Sequence, residues 1–318
     1  MTNNNPDITI AFCVNDAYVP YITVVMKSVM LNNSCEIITF FIVTDYMSKK
    51  NMLLLDEVVQ NNSLVNYEIV YVKDVCVNHL KKGGFPVHIW YRILLPQLLP
   101  KNLHRVLYLD ADTLVTGNIK ELFNIDMRNK AIAACLDPQD YIAFPFNRLG
   151  YESKLRYVCS GVLLINLDYW RKNYVSDEII RYAYENEAKL LLPDQDAINY
   201  VCRERKVILP LRYGIMDWFF WSGIHDDYNT NIILQECIDR PAIIHFAGNK
   251  PWQKEFKERL YHKEWTAYNN TLKTPVIIEY ATKGIKLLEM LIWNLLHIRQ
   301  RKDDPKIAVN VLRQMGRI

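Results

Sequence analysis

Asp110 and Asp112 stand one residue apart at the end of an apolar run, RVLYLDADTLV (105–115). Two carboxylates so placed converge on one ion if the chain turns there, and two hard oxygen donors suit Mn²⁺ or Mg²⁺ with positions left for phosphate oxygens. The same pair can also supply a nucleophile and a general acid/base, or simply end a strand, with Asp capping the following turn. HFAGNKPW (245–252) adds His245 as a third ligand candidate, Gly248 for close backbone approach and Lys250 as a point charge for phosphate. A His behind an apolar strand also fits a structural role. Asn15-Asp16-Ala17-Tyr18 offers an amide, a carboxylate and a ring for a pyrimidine edge and its stacking partner.

The elements that position these residues follow from period and punctuation. DITIAFCVN (7–15), EIITFFIVTD (36–45) and NYEIVYV (66–72) read as strands. They alternate with helical patterns at 21–31 and 48–60, the second opened by Ser48. Strand–helix alternation predicts an α/β fold with a mainly parallel sheet, whose ligands gather beyond the carboxyl ends of the strands. Further strands are expected at 105–110, 131–137, 161–167, 206–210 and 241–248. Helices are expected at 119–124, 176–192 and 193–204. KKGGFP (81–86) reads as a loop, and VNHLKKGGFP (77–86) as a lid. The aromatic run MDWFFWSG (216–223) fits either core or a stacking surface for an acceptor.

The 318 residues are about half hydrophobic and carry a net charge of +3. That charge is uneven. Residues 281–318 hold eight Lys/Arg against three acids, which leaves the rest mildly acidic. In the same segment Lys286, Glu289, Trp293, His297 and Gln300 form one stripe of an amphipathic helix. The expectation is a catalytic domain over 1–270 and a basic helical tail over 271–318, for an anionic membrane surface or a packed partner. No nucleic-acid partner is expected. Seven cysteines without a CxxC read as reduced thiols. With no apolar leader or 18-residue apolar stretch, the expected location is cytoplasmic, peripheral on the inner membrane face.

LDADT resembles the DxDx(T/V) signature of haloacid-dehalogenase-type phosphatases. That family carries the motif on its first strand and an acidic pair after a later strand. Here three strands precede it, and neither Asp226-Asp227 nor Asp303-Asp304 follows one.

Six motifs in order, FCVNDAYV (12–19), WYRILLP (90–96), VLYLDADTLV (106–115), SGVLLINL (160–167), PDQDAIN (193–199) and HFAGNKPW, resemble glycosyltransferase family 8 over residues 7–265. The resemblance implies a single GT-A-type, Rossmann-like nucleotide-sugar-binding domain. It also implies retaining transfer of glucose or galactose from a UDP-sugar with Mn²⁺. The acceptor implied is a saccharide, lipid-linked or part of lipopolysaccharide or another surface glycan. Matched by position, Asp110, Asp112 and His245 would hold the metal, with Ala111 between them in the donor set. Tyr18 would stack on uracil beside Asn15 and Asp16; Gly248 and Lys250 would hold the diphosphate; Arg92 would contact the donor. Asp194 and Gln195 would line the sugar face, and Asp137 would face donor sugar or acceptor. Plainer roles stand beside these: a surface ion pair for Arg92, a helix N-cap for Asp194, a turn before Pro138 for Asp137. Three positions depart from the pattern. Asn15 replaces a frequent Asp, Ala17 a polar residue, and Cys159 an Asn, which removes a hydrogen-bonding group from the expected sugar face. An inactive glycan-binding member remains the alternative.

Overall fold

The computed structural model describes residues 6–73, 77–141, 144–217, 219, 237–248, 250–254 and 260–280. Strands β1 (Ile8–Cys13), β2 (Ile38–Thr44), β3 (Val65–Tyr71), β4 (Arg105–Leu109), β5 (Thr113–Val115), β6 (Ile132–Leu136), β7 (Val158–Asn166), β8 (Lys206–Ile208) and β9 (Ile243–His245) form two sheets. Seven of them make one sheet in the order β3-β2-β1-β4-β7-β6-β8; β5 and β9 make a separate pair. β1, β2, β3 and β4 are parallel neighbours, whereas β7 runs antiparallel to both β4 and β6. The fold is the mixed, mainly parallel α/β architecture expected.

Helices α1 (Val19–Asn32), α2 (Lys49–Val59), α3 (Tyr91–Leu98), α4 (Phe144–Leu149), α5 (Leu167–Asn173), α6 (Val175–Glu185), α7 (Pro193–Val201) and α8 (His262–Asn269) accompany the sheets. β1 is buried at every residue, as a central parallel strand covered on both faces must be. β3, at the edge, alternates exposed and half-buried positions over most of its length. α2 opens with Ser48 accepting from the Asn51 N–H, the cap expected from sequence.

Several boundaries differ from expectation. The helix expected over 176–192 ends at Glu185, followed by a single 3-10 turn at Glu187–Lys189. The reason is local: Asp196 accepts from the Leu191 and Leu192 N–H groups and pulls that segment into the start of α7. The segment at 119–124 is a 3-10 helix, Lys120–Asn124. β5 is too short for its period to show in sequence. α1 fixes it instead: Ser28 Oγ accepts from Val115 N–H at 3.0 Å, and Asn33 accepts from Ile119 N–H at 2.9 Å.

Residues 271–280 are not helical. Lys254 N–H donates to Glu279 O at 2.9 Å, and Val276 N–H to Asn269 Oδ1 at 2.7 Å, so this stretch runs back along the body. The amphipathic segment beyond 280 lies outside the described residues. Within MDWFFWSG, Met216 and Phe219 are buried, and most of the run is likewise outside them. Among the described residues no helix is long and apolar enough to cross a membrane.

Candidate active site

A cavity of about 620 Å³ opens at the carboxyl ends of β1 and β4. That size suits a ligand of several linked groups. After β4 the chain turns, with Thr113 N–H donating to Asp110 O at 3.2 Å, so the two Asp side chains leave a bend rather than a straight strand. β5 then pairs antiparallel with β9, placing Thr113 opposite His245. Phe246 N–H donates to Asp112 O at 2.8 Å and locks that register. The result is a cluster of Asp110, Asp112 and His245 whose ligand atoms all lie within 4.8 Å of one another. His245 Nε2 is 3.4 Å from Asp112 and 3.7 Å from Asp110.

Two cations sit against this cluster. Lys250 pairs with Asp112. Burial alone would raise the Asp112 pKa, but Lys250 and then His245 hold it well below the usual carboxylate range. Burial opposes the charge on Lys250, and Asp112 more than offsets it, raising its pKa. Arg92 donates to Asp110 at 3.0 Å, to Ser160 O at 2.8 Å and to Ile89 O at 3.0 Å, and lies over the Tyr108 ring. It is 4% exposed, so the surface ion pair that its type allows is not what forms.

The opposite wall is built by hydrogen bonds. Gln195 Oε1 accepts from Ser160 N–H at 2.9 Å, and Gln195 Nε2 donates to Asp137 at 3.0 Å and to Tyr157 OH at 3.3 Å. A backbone N–H at one end and a carboxylate at the other fix which way the amide faces. Asp194 lies 3.4 Å from Arg92 Nε and accepts from Ser160 Oγ at 3.3 Å. It does not cap α7: the N-cap is Leu192, and Asp196 performs the reach-back. Asp196 is fully buried between Arg148 and Tyr157 OH, away from the cavity. Burial raises the pKa of Asp194, with Arg92 opposing. It also raises that of Asp137, with the Gln139 N–H and the Gln195 amide opposing. Gln139 N–H donates to Asp137 Oδ1 at 2.9 Å, so the turn before Pro138 and the cavity wall are one structure.

Asn15 and Tyr18 line the far end of the cavity. Asn15 Oδ1 accepts from Tyr18 N–H at 3.2 Å, which fixes the turn that leads into α1. Tyr18 meets Trp252 edge-on, and Trp252 stacks on Tyr21 at 3.8 Å. Asp16 is not part of the lining: its carboxylate accepts from Ser48 N–H at 2.7 Å and joins the turn to α2. Ala111, Gly248 and Lys250 complete the lining beside the Asp-Asp-His cluster, Gly248 at φ 88°, where a side chain is strained. The 77–86 segment is seated on the body. Trp90 Nε1 donates to Lys81 O at 2.9 Å, and Phe85 and Pro86 enter the cavity wall.

Three contributors were not singled out from sequence. A Cβ on Gly161 would strike His245 and come within 2.7 Å of Asp110, so the cluster exists only because that strand residue lacks a side chain. A glycine inside the apolar run GVLLINL is the signal that points to such close approach. Tyr108, two residues before Asp110 and so on the same strand face, donates its hydroxyl to Asp110. Ser160 joins Arg92, Asp194 and Gln195, for which no sequence signal exists.

The family model for glycosyl transferase family 8 matches residues 9–255. The chain belongs to glycosyltransferase family 8. Its relatives in the family include a lipopolysaccharide 1,2-glucosyltransferase of Escherichia coli, 25% identical over 76% of this chain and 72% of that one. General stress protein A of Bacillus subtilis is 26% identical over 65% of this chain and 73% of its own length. Among solved structures, the galactosyltransferase LgtC in complex with donor and acceptor sugar analogues superposes with a TM-score of 0.69. It shares 20% identity and covers 89% of this chain and all of that one. That likeness fits a single GT-A domain. The family member described here is therefore a glycosyltransferase of the α/β type, with an Asp-Asp-His group suited to a metal.

Proposed function

We propose that this chain is a retaining hexosyltransferase that moves glucose or galactose from a UDP-sugar to a saccharide or lipid-linked acceptor, such as a lipopolysaccharide or other surface glycan. The observation that carries the reading is the Asp110–Asp112–His245 group with Lys250 beside it. Two carboxylate oxygens and an imidazole nitrogen fit Mn²⁺, with Mg²⁺ the close substitute. A bound ion would supply charge neutralisation on the departing diphosphate.

The chain's own residues account for the rest. Lys250, paired with Asp112, would meet phosphate oxygens entering along the Gly248 backbone. Arg92 keeps Asp110 oriented and neutralised from behind. The Asn15 NH₂ offers a donor to a uracil carbonyl, and Tyr18 a face for the ring. Gln195 and Asp137 form a polar wall for the sugar hydroxyls.

Retention then needs a route. Asp196 is engaged by Arg148 and Tyr157, Asp194 lies against Arg92, and both ends of the Gln195 amide are hydrogen-bonded. None is an unencumbered nucleophile. This supports front-face attack, in which an oxygen of the leaving UDP helps deprotonate the acceptor hydroxyl. A stoichiometric glycosyl-enzyme on Asp194, trapped by rapid quench and mass spectrometry, would refute it.

The deciding experiment is UDP release from a panel of UDP-sugars without acceptor, in Mn²⁺ and then in EDTA. Slow release from one UDP-hexose, abolished by EDTA, supports the transferase and names its donor. No release from any UDP-sugar, with turnover of a phosphomonoester, restores the phosphatase reading of LDADT. No release and no such turnover, with UDP-sugar still bound, returns the inactive binding protein.

For the chain organisation, the same proposal assigns catalysis to residues 1–270 and association with an anionic membrane face or a partner to the tail from 271, with the protein peripheral on the cytoplasmic side. The support is the charge asymmetry of the tail. Removing residues 281–318 should release the protein from anionic vesicles and leave donor hydrolysis unchanged.

A further inference from the structure

The metal reading of the Asp-Asp-His group requires more of His245 than proximity. Nε2 faces Asp112 at 3.4 Å and Asp110 at 3.7 Å. A ligand nitrogen presents a lone pair, so the proton of a neutral ring must sit on Nδ1. The two carboxylates work against this, because they draw a proton onto Nε2, where it can hydrogen-bond to them. Something on the other side of the ring must favour Nδ1–H. Ligating histidines ordinarily find a carbonyl or carboxylate there. Here the group in contact with Nδ1 is the sulfur of Cys159, at 3.3 Å.

Cys159 is well placed to accept. It lies on β7, 5% exposed, and its sulfur also receives the Gly161 N–H at 3.5 Å. Gly161 is the residue whose missing side chain leaves room for the ring. One short strand segment therefore clears the space for His245 and supplies the atom on its far nitrogen.

We infer that Cys159 is a positioning residue for the metal site: its sulfur accepts from His245 Nδ1–H, keeps the Nε2 lone pair turned toward Asp110 and Asp112, and thereby sets metal affinity. This rests on the metal reading above. It gives the Cys159 departure a meaning other than a lost sugar contact.

The test is Mn²⁺ binding to the full chain without donor, followed by electron paramagnetic resonance, in four variants. Cys159→Ala removes acceptor and volume, Cys159→Val keeps volume without an acceptor, Cys159→Ser keeps an acceptor in a smaller group, and Asp112→Asn removes a ligand. The expected result is a loss of roughly tenfold in Mn²⁺ affinity in both the Ala and Val variants, the scale of a lost outer partner. Ser should restore it to within about twofold of wild type on the strength of its oxygen acceptor. A packing role predicts the reverse order, with Val restoring binding and Ser failing, and that order would overturn the inference. So would Ala and Val variants that bind as wild type does. If the wild-type chain itself takes up no Mn²⁺, or Asp112→Asn binds it equally well, the metal reading falls and the inference with it. That outcome is distinct from wild-type binding that Asp112→Asn alone abolishes.

Discussion

Asp112 and Asp137 face the same cavity and are equally buried, each 7% exposed. Their protons are nevertheless held in opposite ways. Asp112 meets Lys250 and His245, and its pKa falls well below the usual range despite burial. Asp137 takes its hydrogen bonds from neutral donors, the Gln139 N–H and the Gln195 amide, with the His245 charge a lesser influence, and burial raises its pKa. Burial depth therefore does not separate the two walls. What separates them is whether a full opposite charge or a dipole answers the carboxylate, and the low interior dielectric magnifies the difference. A wall of compensated charges suits an ion and a diphosphate. A wall of dipoles suits hydroxyl groups, which need directional partners rather than charge.

The comparison can be broken most forcefully on its charged side. Asp112→Asn removes a ligand and the partner of Lys250 together, and donor hydrolysis should drop by about 10³-fold, the upper scale for one electrostatic contributor in a closed site. Lys250→Met leaves Asp110, Asp112 and His245 in place and removes the cation proposed for the diphosphate. A fall of about 10²-fold in kcat, with Mn²⁺ affinity nearly unchanged, is expected. If Mn²⁺ affinity collapsed instead, Lys250 would be organising the carboxylates rather than serving the leaving group. Gly161→Ala tests the room kept for the His245 ring. The added methyl meets His245 and Asp110, so Mn²⁺ affinity should fall roughly tenfold, with a stability loss of about 1–3 kcal/mol visible in denaturant titration.

The smallest effect belongs to the dipolar wall. The raised pKa of Asp137 means that the folded protein holds this proton more tightly than the unfolded chain does. The cost of its charge is thus present above the folded pKa and is relieved as pH falls. Asp137→Asn removes that charge and keeps one oxygen for the Gln195 amide, while its NH₂ meets the Gln139 N–H at every pH, so its Tm relative to wild type should gain as the pH is raised to 7. The gain should shrink as pH is lowered through that raised pKa toward the unfolded carboxylate value. A constant gain at all pH values would mean that packing, not charge, sets the difference.

The amino-acid sequence by itself determined the strand–helix alternation, the positions of the long strands and the chemical types at the site. These follow from local period, capping residues and the residue types within single motifs. Asp110-x-Asp112 and HFAGNKPW each announced their chemistry without reference to the other. Tertiary structure alone decided how they meet. The β5–β9 register brings Thr113 opposite His245, and the antiparallel β4–β7 pairing sets Gly161 beside Asp110. Neither pairing has a local signal, because strand register is a contact between distant segments and β5 is three residues long. The same holds for neighbours in sequence with different fates. Asp194 and Asp196 are alike in PDQD, yet one turns to Arg92 at the cavity and the other to Arg148 behind it. Asp16, one residue from Asn15, went to Ser48 rather than to the cavity. Side-chain direction on a turn or helix start depends on what packs around it, and only the assembled fold supplies those partners.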